Sequence, residues 1–168
     1  MVIRKIRKED VRRFVDFLIQ LDRESDFLMY DPGEREKYYE KQAKDFETFS
    51  EADNRTILLA MKQHSIVGYL LIVQGALNRN RHSAYLAMGV LKKYQGQGIG
   101  TKLLQSGKEW AKKRGIIRLE LTVMQHNLPA IRLYRKLGFV CEGMKKKSLK
   151  VNDQWINELY MACFLDSN

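Results

Sequence analysis

The residues from Gln95 to Gly100, Gln-Gly-Gln-Gly-Ile-Gly, carry the strongest chemical signal in the chain. Glycine stands at every second position, 96, 98 and 100. Without a Cβ, such a loop turns tightly and adopts left-handed backbone angles that other residues avoid. An apolar run from Ala84 to Val90 precedes it, and an amphipathic run from Thr101 to Gly115 follows. The order strand, glycine loop, helix points the loop amides and the first free N–H groups of the helix at one place. The helix dipole adds positive potential there, so the expected ligand is a phosphate or pyrophosphate held by main chain. Two other phosphate patterns compare poorly. A P-loop needs Gly-Lys before its Ser or Thr, whereas Gly100 runs directly into Thr101. A dinucleotide turn needs G-x-G-x-x-G at the strand end and an acidic residue about 20 positions on. Glu120 lies at that distance, but the glycine spacing differs and Glu120 falls inside its own strand. A helix start that merely tolerated glycine would forfeit about 1 kcal/mol at each helical glycine.

Charge supports an anionic ligand. The 168-residue chain carries a net charge of +10, distributed unevenly. Residues 1–91 sum to +1, residues 92–150 to +12 and residues 151–168 to −3. The positive block therefore surrounds the glycine loop and would attract a polyanion at long range. A solvated basic face, or nonspecific affinity for nucleic acid, would have the same composition. No helix-turn-helix, RNA-binding aromatic signature or zinc pattern is visible, so specific nucleic-acid binding is not expected.

Other chemistries find little support. His64, His82 and His126 lack metal-ligand spacing, and no metal is expected. No G-x-S-x-G and no nucleophile-and-base pair can be read. Cys141 and Cys163 sit in strand-like runs and read as buried, reduced thiols, which favours a cytoplasmic location. The N-terminus has no apolar signal region, and the longest apolar stretches are too short to span a membrane. Apolar content of 45% and charged content of 30% are those of a globular protein. The length suits one domain over residues 1–168.

The elements that must position the loop follow from periodicity. Residues 2–7 alternate as a half-buried strand. Residues 10–21 place apolar side chains at 11, 14, 15, 18, 19 and 21, one face of a helix. Asp31-Pro32-Gly33 is a turn. Residues 34–49 form a second helix, with Tyr38, Ala43, Phe46 and Phe49 on its apolar side. Residues 56–62, 66–77 and 84–90 read as three strands. After the glycine loop, Leu103, Leu104, Trp110 and Ala111 face the core and Gly115 ends the helix. Residues 116–124 are a strong strand. Asn127 is suited to cap a helix with Pro129 in its first turn, and Gly138 ends that helix. Residues 139–151 and 155–165 form a last strand pair around Asn152-Asp153. The order β-α-α-β-β-β-α-β-α-β-β predicts a mixed sheet flanked by helices.

Two motifs resemble those of the GNAT-superfamily N-acetyltransferases. The first is M-G-V-L-K-K-Y-Q-G-Q-G-I-G, Met88 to Gly100, which is similar to the acetyl-coenzyme A loop Q/R-x-x-G-x-G/A. The second is N-L-P-A-I-R-L-Y-R-K-L-G-F, Asn127 to Phe139, which is similar to N-x-x-A-x-x-L-Y-x-K-x-G-F. Their separation and the strand between them also fit, while residues 20–53 match no motif. The resemblance implies an α/β (α+β mixed sheet) fold: a central, mostly antiparallel sheet, flanked by helices, whose fourth and fifth strands splay apart. It implies acetyl-coenzyme A as co-substrate and direct transfer of the acetyl group to a primary amine. The main chain of Met88, Gly89 and Val90 would pair with the pantetheine arm like an added strand. The amides of Gly96, Gln97, Gly98, Ile99, Gly100 and Thr101, following Gln95, would cradle the pyrophosphate. Asn127 would touch the coenzyme, and its other role is the helix cap. Tyr134 would protonate the departing thiolate; its alternative is a core aromatic at helical spacing. The run E-G-M-K-K-K followed by Y-M-A resembles branches acting on amino acids, polyamines or protein N-termini, without choosing among them.

An acceptor ammonium, of pKa about 10, must lose a proton before attack. Glu120 is the candidate base, directly or through water, on a strand lining the implied splay. Thr122 shares its face and stands where some relatives carry a catalytic glutamate. The alternative for Glu120 is a sheet-face carboxylate paired with Lys or Arg. The acceptor is expected before the second strand, where residues 20–53 sum to −6, a wall suited to a cationic amine. Glu24, Asp26 and Asp31 are the acceptor candidates, and a solvated helix face is the alternative. The acceptor is either a small molecule or a protein N-terminus; a homodimer is compatible with the sequence, and no membrane partner is expected. Two non-catalytic readings stay open: a coenzyme-binding regulatory module and a basic RNA- or ribosome-associated protein.

Overall fold

Alternating and 3.6-residue patterns resolve into strands and helices in the order expected. In the computed structural model, residues 1–165 are described; the last three residues of the expected domain, 166–168, lie outside the described residues. The elements are β1 (Val2–Lys5), α1 (Val11–Glu24), α2 (Tyr39–Glu51), β2 (Arg55–Lys62), β3 (Ser65–Gln74), β4 (Ser83–Val90), α3 (Ile99–Lys112), β5 (Arg118–Met124), α4 (Leu128–Lys136), β6 (Val140–Val151) and β7 (Gln154–Phe164). The strands are hydrogen-bonded in the order β1-β2-β3-β4-β5-β7-β6. β1 with β2, β2 with β3, β5 with β7 and β6 with β7 are antiparallel, and β4 with β5 is parallel. The chain divides into two compact units, Met1–Val73 with Ala87–Gly107, and Gln74–Leu86 with Lys108 onward. β4 and α3 each contribute residues to both.

In the first unit the core lies between α1, α2 and the β1–β3 ladder. α1 buries Val11, Phe14, Val15, Phe17, Leu18 and Leu21, a stripe that meets Ile57, Leu59, Ile66 and Tyr69 of the sheet. Phe14 anchors it, with ring centroids 5.0 Å from Phe46 and 5.4 Å from Tyr69, both near edge-on, the geometry aromatic pairs favour. The β2–β3 hairpin turns at Gln63 and His64, both left-handed at φ 48° and 69°, the backbone a two-residue turn requires. β1 stops at Lys5 rather than at residue 7, because Asp10 folds back. Its carboxylate takes two bonds from Arg4, at 2.6 and 2.8 Å, and one from the Arg7 N–H at 2.9 Å. The second helix starts later than its periodicity suggests: Arg35–Tyr38 is a 3-10 turn and α2 proper begins at Tyr39. That shift turns Tyr38 outward, correcting its expected place on the apolar side, while Tyr39 packs against the core. Arg35 is buried in the turn, where it forks onto Asp22 of α1 and also donates to Gln42 at 2.7 Å.

In the second unit β5 lies between two partners. Ser83–Tyr85 run parallel to Arg118–Glu120, and β7 runs antiparallel along all of β5. Leu119, Leu121 and Val123 are buried, so residues 118, 120 and 122 share the opposite face. β6 and β7 form a hairpin through Asn152 and Asp153, both left-handed, with register shifts at Cys141/Gly143 and Lys145/Leu149. β6 is the outermost strand, which explains a correction: Cys141 is exposed, and only Cys163 is buried. Both thiols are free. Among the described residues, no helix is long and apolar enough to cross a membrane.

Candidate active site

Residues 91–95 connect the end of β4 to the first glycine of the loop. Met88, Gly89 and Val90 are half-buried strand residues. Leu91 then binds through its N–H to the Val67 carbonyl of β3 at 3.0 Å. A 3-10 turn at Lys92–Tyr94 follows, and Gln95 leaves it extended. Gly96 and Gly98 have φ of 74° and 76°, a region L side chains rarely enter, and a Cβ built on either would meet nothing within 4 Å. Glycine is needed here for backbone angle, not to relieve crowding, and the space above the loop is open. The first helical bond of α3 runs from the Lys102 N–H to the Gly98 carbonyl at 3.1 Å. The N–H groups of Ile99, Gly100 and Thr101 precede it and have no partner within the helix. Left-handed glycines under open space at a helix entrance form a cradle of the kind that can hold an anion such as a pyrophosphate.

Two side chains of the loop are used internally. Gln95 donates from Nε2 to the Val90 carbonyl at 3.0 Å, and Gln97 to the Lys93 carbonyl at 3.2 Å. Both glutamines therefore brace the loop, which leaves main-chain amides to face a ligand. Gly68 is a positioning residue the sequence reading passed over. A Cβ there would come within 3.2 Å of the Gly89 carbonyl and 3.3 Å of Ile99 Cγ2. Its absence lets β3, the end of β4 and the start of α3 converge. A lone glycine inside a strand pattern was the available signal.

The second motif sits in the other unit. Asn127 caps α4, its Oδ1 accepting from the Ala130 N–H at 3.3 Å, with Pro129 in the first turn. Tyr134 is buried, its ring 5.7 Å from that of Phe139. Its carbonyl accepts from the N–H groups of Leu137 and Phe139, both at 3.0 Å, so the helix end is fixed around it. Gly138, at φ 87°, ends α4 as expected.

Glu120 lies on the half-exposed face of β5 and its Oε2 accepts from Arg118 Nε at 2.8 Å. Arg118 also forks onto Glu142 of β6, at 2.9 and 2.6 Å. The two carboxylates hold the guanidinium charged well beyond the ordinary arginine range, Glu142 contributing more than Glu120. Arg118 in turn holds the Glu142 carboxyl below the usual carboxylate range. Thr122, next on that face, has its Oγ1 3.1 Å from the Tyr85 hydroxyl.

The acceptor candidates divide. Asp26 and Asp31 are exposed on the segment between α1 and α2, where Asp31 begins a turn closed by the Glu34 N–H on its carbonyl at 3.0 Å. Glu24 is engaged instead: its Oε2 accepts from the Lys92 main-chain N–H at 2.9 Å and its Oε1 from Gln20 at 2.8 Å. Among the described residues no group of three or more His, Cys, Asp or Glu is placed to hold a metal ion.

Comparison with known proteins identifies the family. The chain is 32% identical to the L-amino acid N-acetyltransferase of Escherichia coli K12 over 109 residues, 62% of this chain and 65% of that one, just under two thirds of the relative's length. It is 24% identical to the spermidine N(1)-acetyltransferase of the same organism over 96% of this chain and 84% of that one. The solved structure of a GNAT-family acetyltransferase from Streptococcus pneumoniae superposes with a TM-score of 0.90, at 31% identity, over 98% of this chain and 99% of that one. The profile described as Acetyltransferase (GNAT) family matches residues 16–139, a span that takes in the glycine cradle and the Asn127–Phe139 motif together. The chain thus belongs to the GNAT acetyltransferase family.

Proposed function

We propose that this protein transfers an acetyl group from acetyl-coenzyme A to a primary amine, directly, within a ternary complex. The observation that carries the reading is the cradle: two left-handed glycines under open space at the entrance of α3. The amides of residues 96–101 would hold the pyrophosphate, and the Met88–Val90 main chain would take the pantetheine arm. Asn127 would add a contact beside its cap. Tyr134 is proposed as the acid toward the departing thiolate. An unperturbed phenol, of pKa about 10, can supply a proton to a thiolate of about 8.5 when geometry assists. Glu120 is proposed as the base toward the ammonium, with Arg118 setting its orientation. Asp26 and Asp31 are proposed on the acceptor side.

Direct transfer needs no protein nucleophile, since holding thioester and amine together supplies much of the rate. The cysteines fit that view: Cys163 is buried with its Sγ 3.7 Å from the Leu137 carbonyl, and Cys141 lies on the outer strand. The relatives' names speak of an L-amino acid, of spermidine and, for one from Schizosaccharomyces pombe, of N-alpha-acetyl transfer, so the acceptor proposed here is an amino acid, a polyamine or a peptide α-amine. The deciding experiment follows free thiol release from acetyl-coenzyme A over a panel of amino acids, polyamines and peptides. Amine-dependent release establishes transfer. Coenzyme binding with no release under any amine would leave a regulatory module instead.

A further inference from the structure

Glu24 is the last residue of α1, and its carboxylate holds Lys92, 68 positions later, the first residue of the 3-10 turn that follows β4 and Leu91. The bond is from the Lys92 N–H to Oε2, at 2.9 Å, while Gln20, one turn back on α1, fixes the other oxygen at 2.8 Å. Four further bonds link this turn to the loop. The Tyr94 N–H binds the Leu91 carbonyl at 2.8 Å and the Gln95 N–H binds the Lys92 carbonyl at 3.2 Å. Gln95 returns to the Val90 carbonyl and Gln97 to that of Lys93. Each of these contacts fixes a piece of the loop relative to its neighbour. The Glu24 contact ties this series to α1, a helix whose apolar stripe is packed in the core.

We propose that Glu24 is a positioning residue for the coenzyme loop: its carboxylate, aimed by Gln20, sets the Lys92–Tyr94 turn so that the amides of residues 96–101 converge. Its role is thereby moved from acceptor contact to loop anchor. A carboxylate suits the task because a charged acceptor on a main-chain N–H makes a shorter and stronger bond than a neutral one. The residue is exposed and its carboxylate bonds the Gln20 side chain and the Lys92 main chain, so the fold should not depend on it. The proposal rests on the acetyl-coenzyme A reading given above for its affinity consequence, and on the structure alone for its effect on the loop.

Two variants and two measurements test it. Glu24→Ala removes the acceptor; Glu24→Gln keeps a carbonyl oxygen at the same reach. Hydrogen exchange on the coenzyme-free protein should show the Lys92 amide and the 95–100 segment exchanging faster in Glu24→Ala and at an intermediate rate in Glu24→Gln. Acetyl-coenzyme A titration should show Glu24→Ala binding about three- to tenfold more weakly, the scale of the net contribution of one hydrogen bond. Glu24→Gln should recover about half of that loss, and the acceptor KM should move little. Unchanged exchange and unchanged affinity in Glu24→Ala overturn the proposal. So does an acceptor KM that rises while coenzyme affinity holds, which would return Glu24 to the acceptor side. If the parent protein itself fails to bind acetyl-coenzyme A, the functional reading falls and the affinity claim with it, while the exchange result still decides the anchoring role.

Discussion

At the scale of single residues, the informative positions are those where chemistry and backbone make the same demand. Gly98 is one. Its φ of 76° is closed to β-branched side chains, yet the space above it is empty. Replacing it with valine should therefore distort the loop without collision. Strain of about 1–3 kcal/mol is expected at such a residue, enough to push the loop out of its cradle shape. Coenzyme affinity should fall more than tenfold while the melting temperature moves by only a few degrees; an unaltered Kd would remove the pyrophosphate from this loop. Tyr134 is the other. Its ring belongs to the packing around Phe139, so Tyr134→Phe keeps the ring and loses only the hydroxyl. General acid catalysis typically contributes 10²- to 10⁴-fold, so kcat should fall at least about tenfold even where water partly substitutes. Coenzyme Kd should shift much less. Normal turnover per folded molecule, together with lower stability, would instead make Tyr134 a core aromatic.

At the scale of elements, legibility followed the kind of physics involved. The helical stripe of α1 and the alternation of β5 depend on local periodicity: α1 buries the expected 11, 14, 15, 18 and 21, with Phe17 buried in addition and Ile19 half-buried, and β5 alternates from Arg118 rather than from residue 116. The glycine loop and the Asn127 cap were legible because backbone angle and capping chemistry are local too. Long-range bonds were not. Nothing in the sequence shows that Arg35 and Asp22 join, so the 3-10 turn that exposes Tyr38 was missed. Nor does it show that Glu24 reaches Lys92 or that Arg118 bridges Glu120 and Glu142. Cys141 was misread because a strand-like run does not reveal which strand lies at the sheet edge. The β1–α1 junction adds a pH-dependent term. The Arg4 guanidinium, with the Arg7 N–H, holds the buried Asp10 carboxyl below the usual carboxylate range against the cost of burial. A group whose pKa is lower in the folded than in the unfolded state stabilises the fold above its unfolded value, and that contribution disappears as pH falls through the folded value. Stability should decline on acidification from pH 5 downward, and Asp10→Asn should be less stable at neutral pH and flatter across that range. Urea titrations from about pH 3 to 7 decide it; parallel curves for the two proteins would deny Asp10 its part.

At the scale of the whole molecule, the distribution of charge carries a kinetic consequence that no single contact has. Residues 92–150 sum to +12 while residues 20–53 sum to −6. A polyanionic co-substrate and a cationic acceptor would each be drawn by a different part of the chain, and such attraction acts on encounter more than on the chemical step. Salt screens it, with a Debye length of about 10 Å at 0.1 M and about 3 Å at 1 M. The KM for acetyl-coenzyme A should therefore rise steadily with sodium chloride while kcat stays nearly flat. Lys92 and Lys93 precede the cradle and are exposed, so a double replacement by glutamine should reduce the slope. The Lys92 N–H bond to Glu24 is main-chain and survives that change, so the variant isolates charge from loop geometry. A KM indifferent to salt would mean that coenzyme recognition rests on the fixed amides of the cradle alone. The basic block would then be a solvated surface unrelated to the reaction.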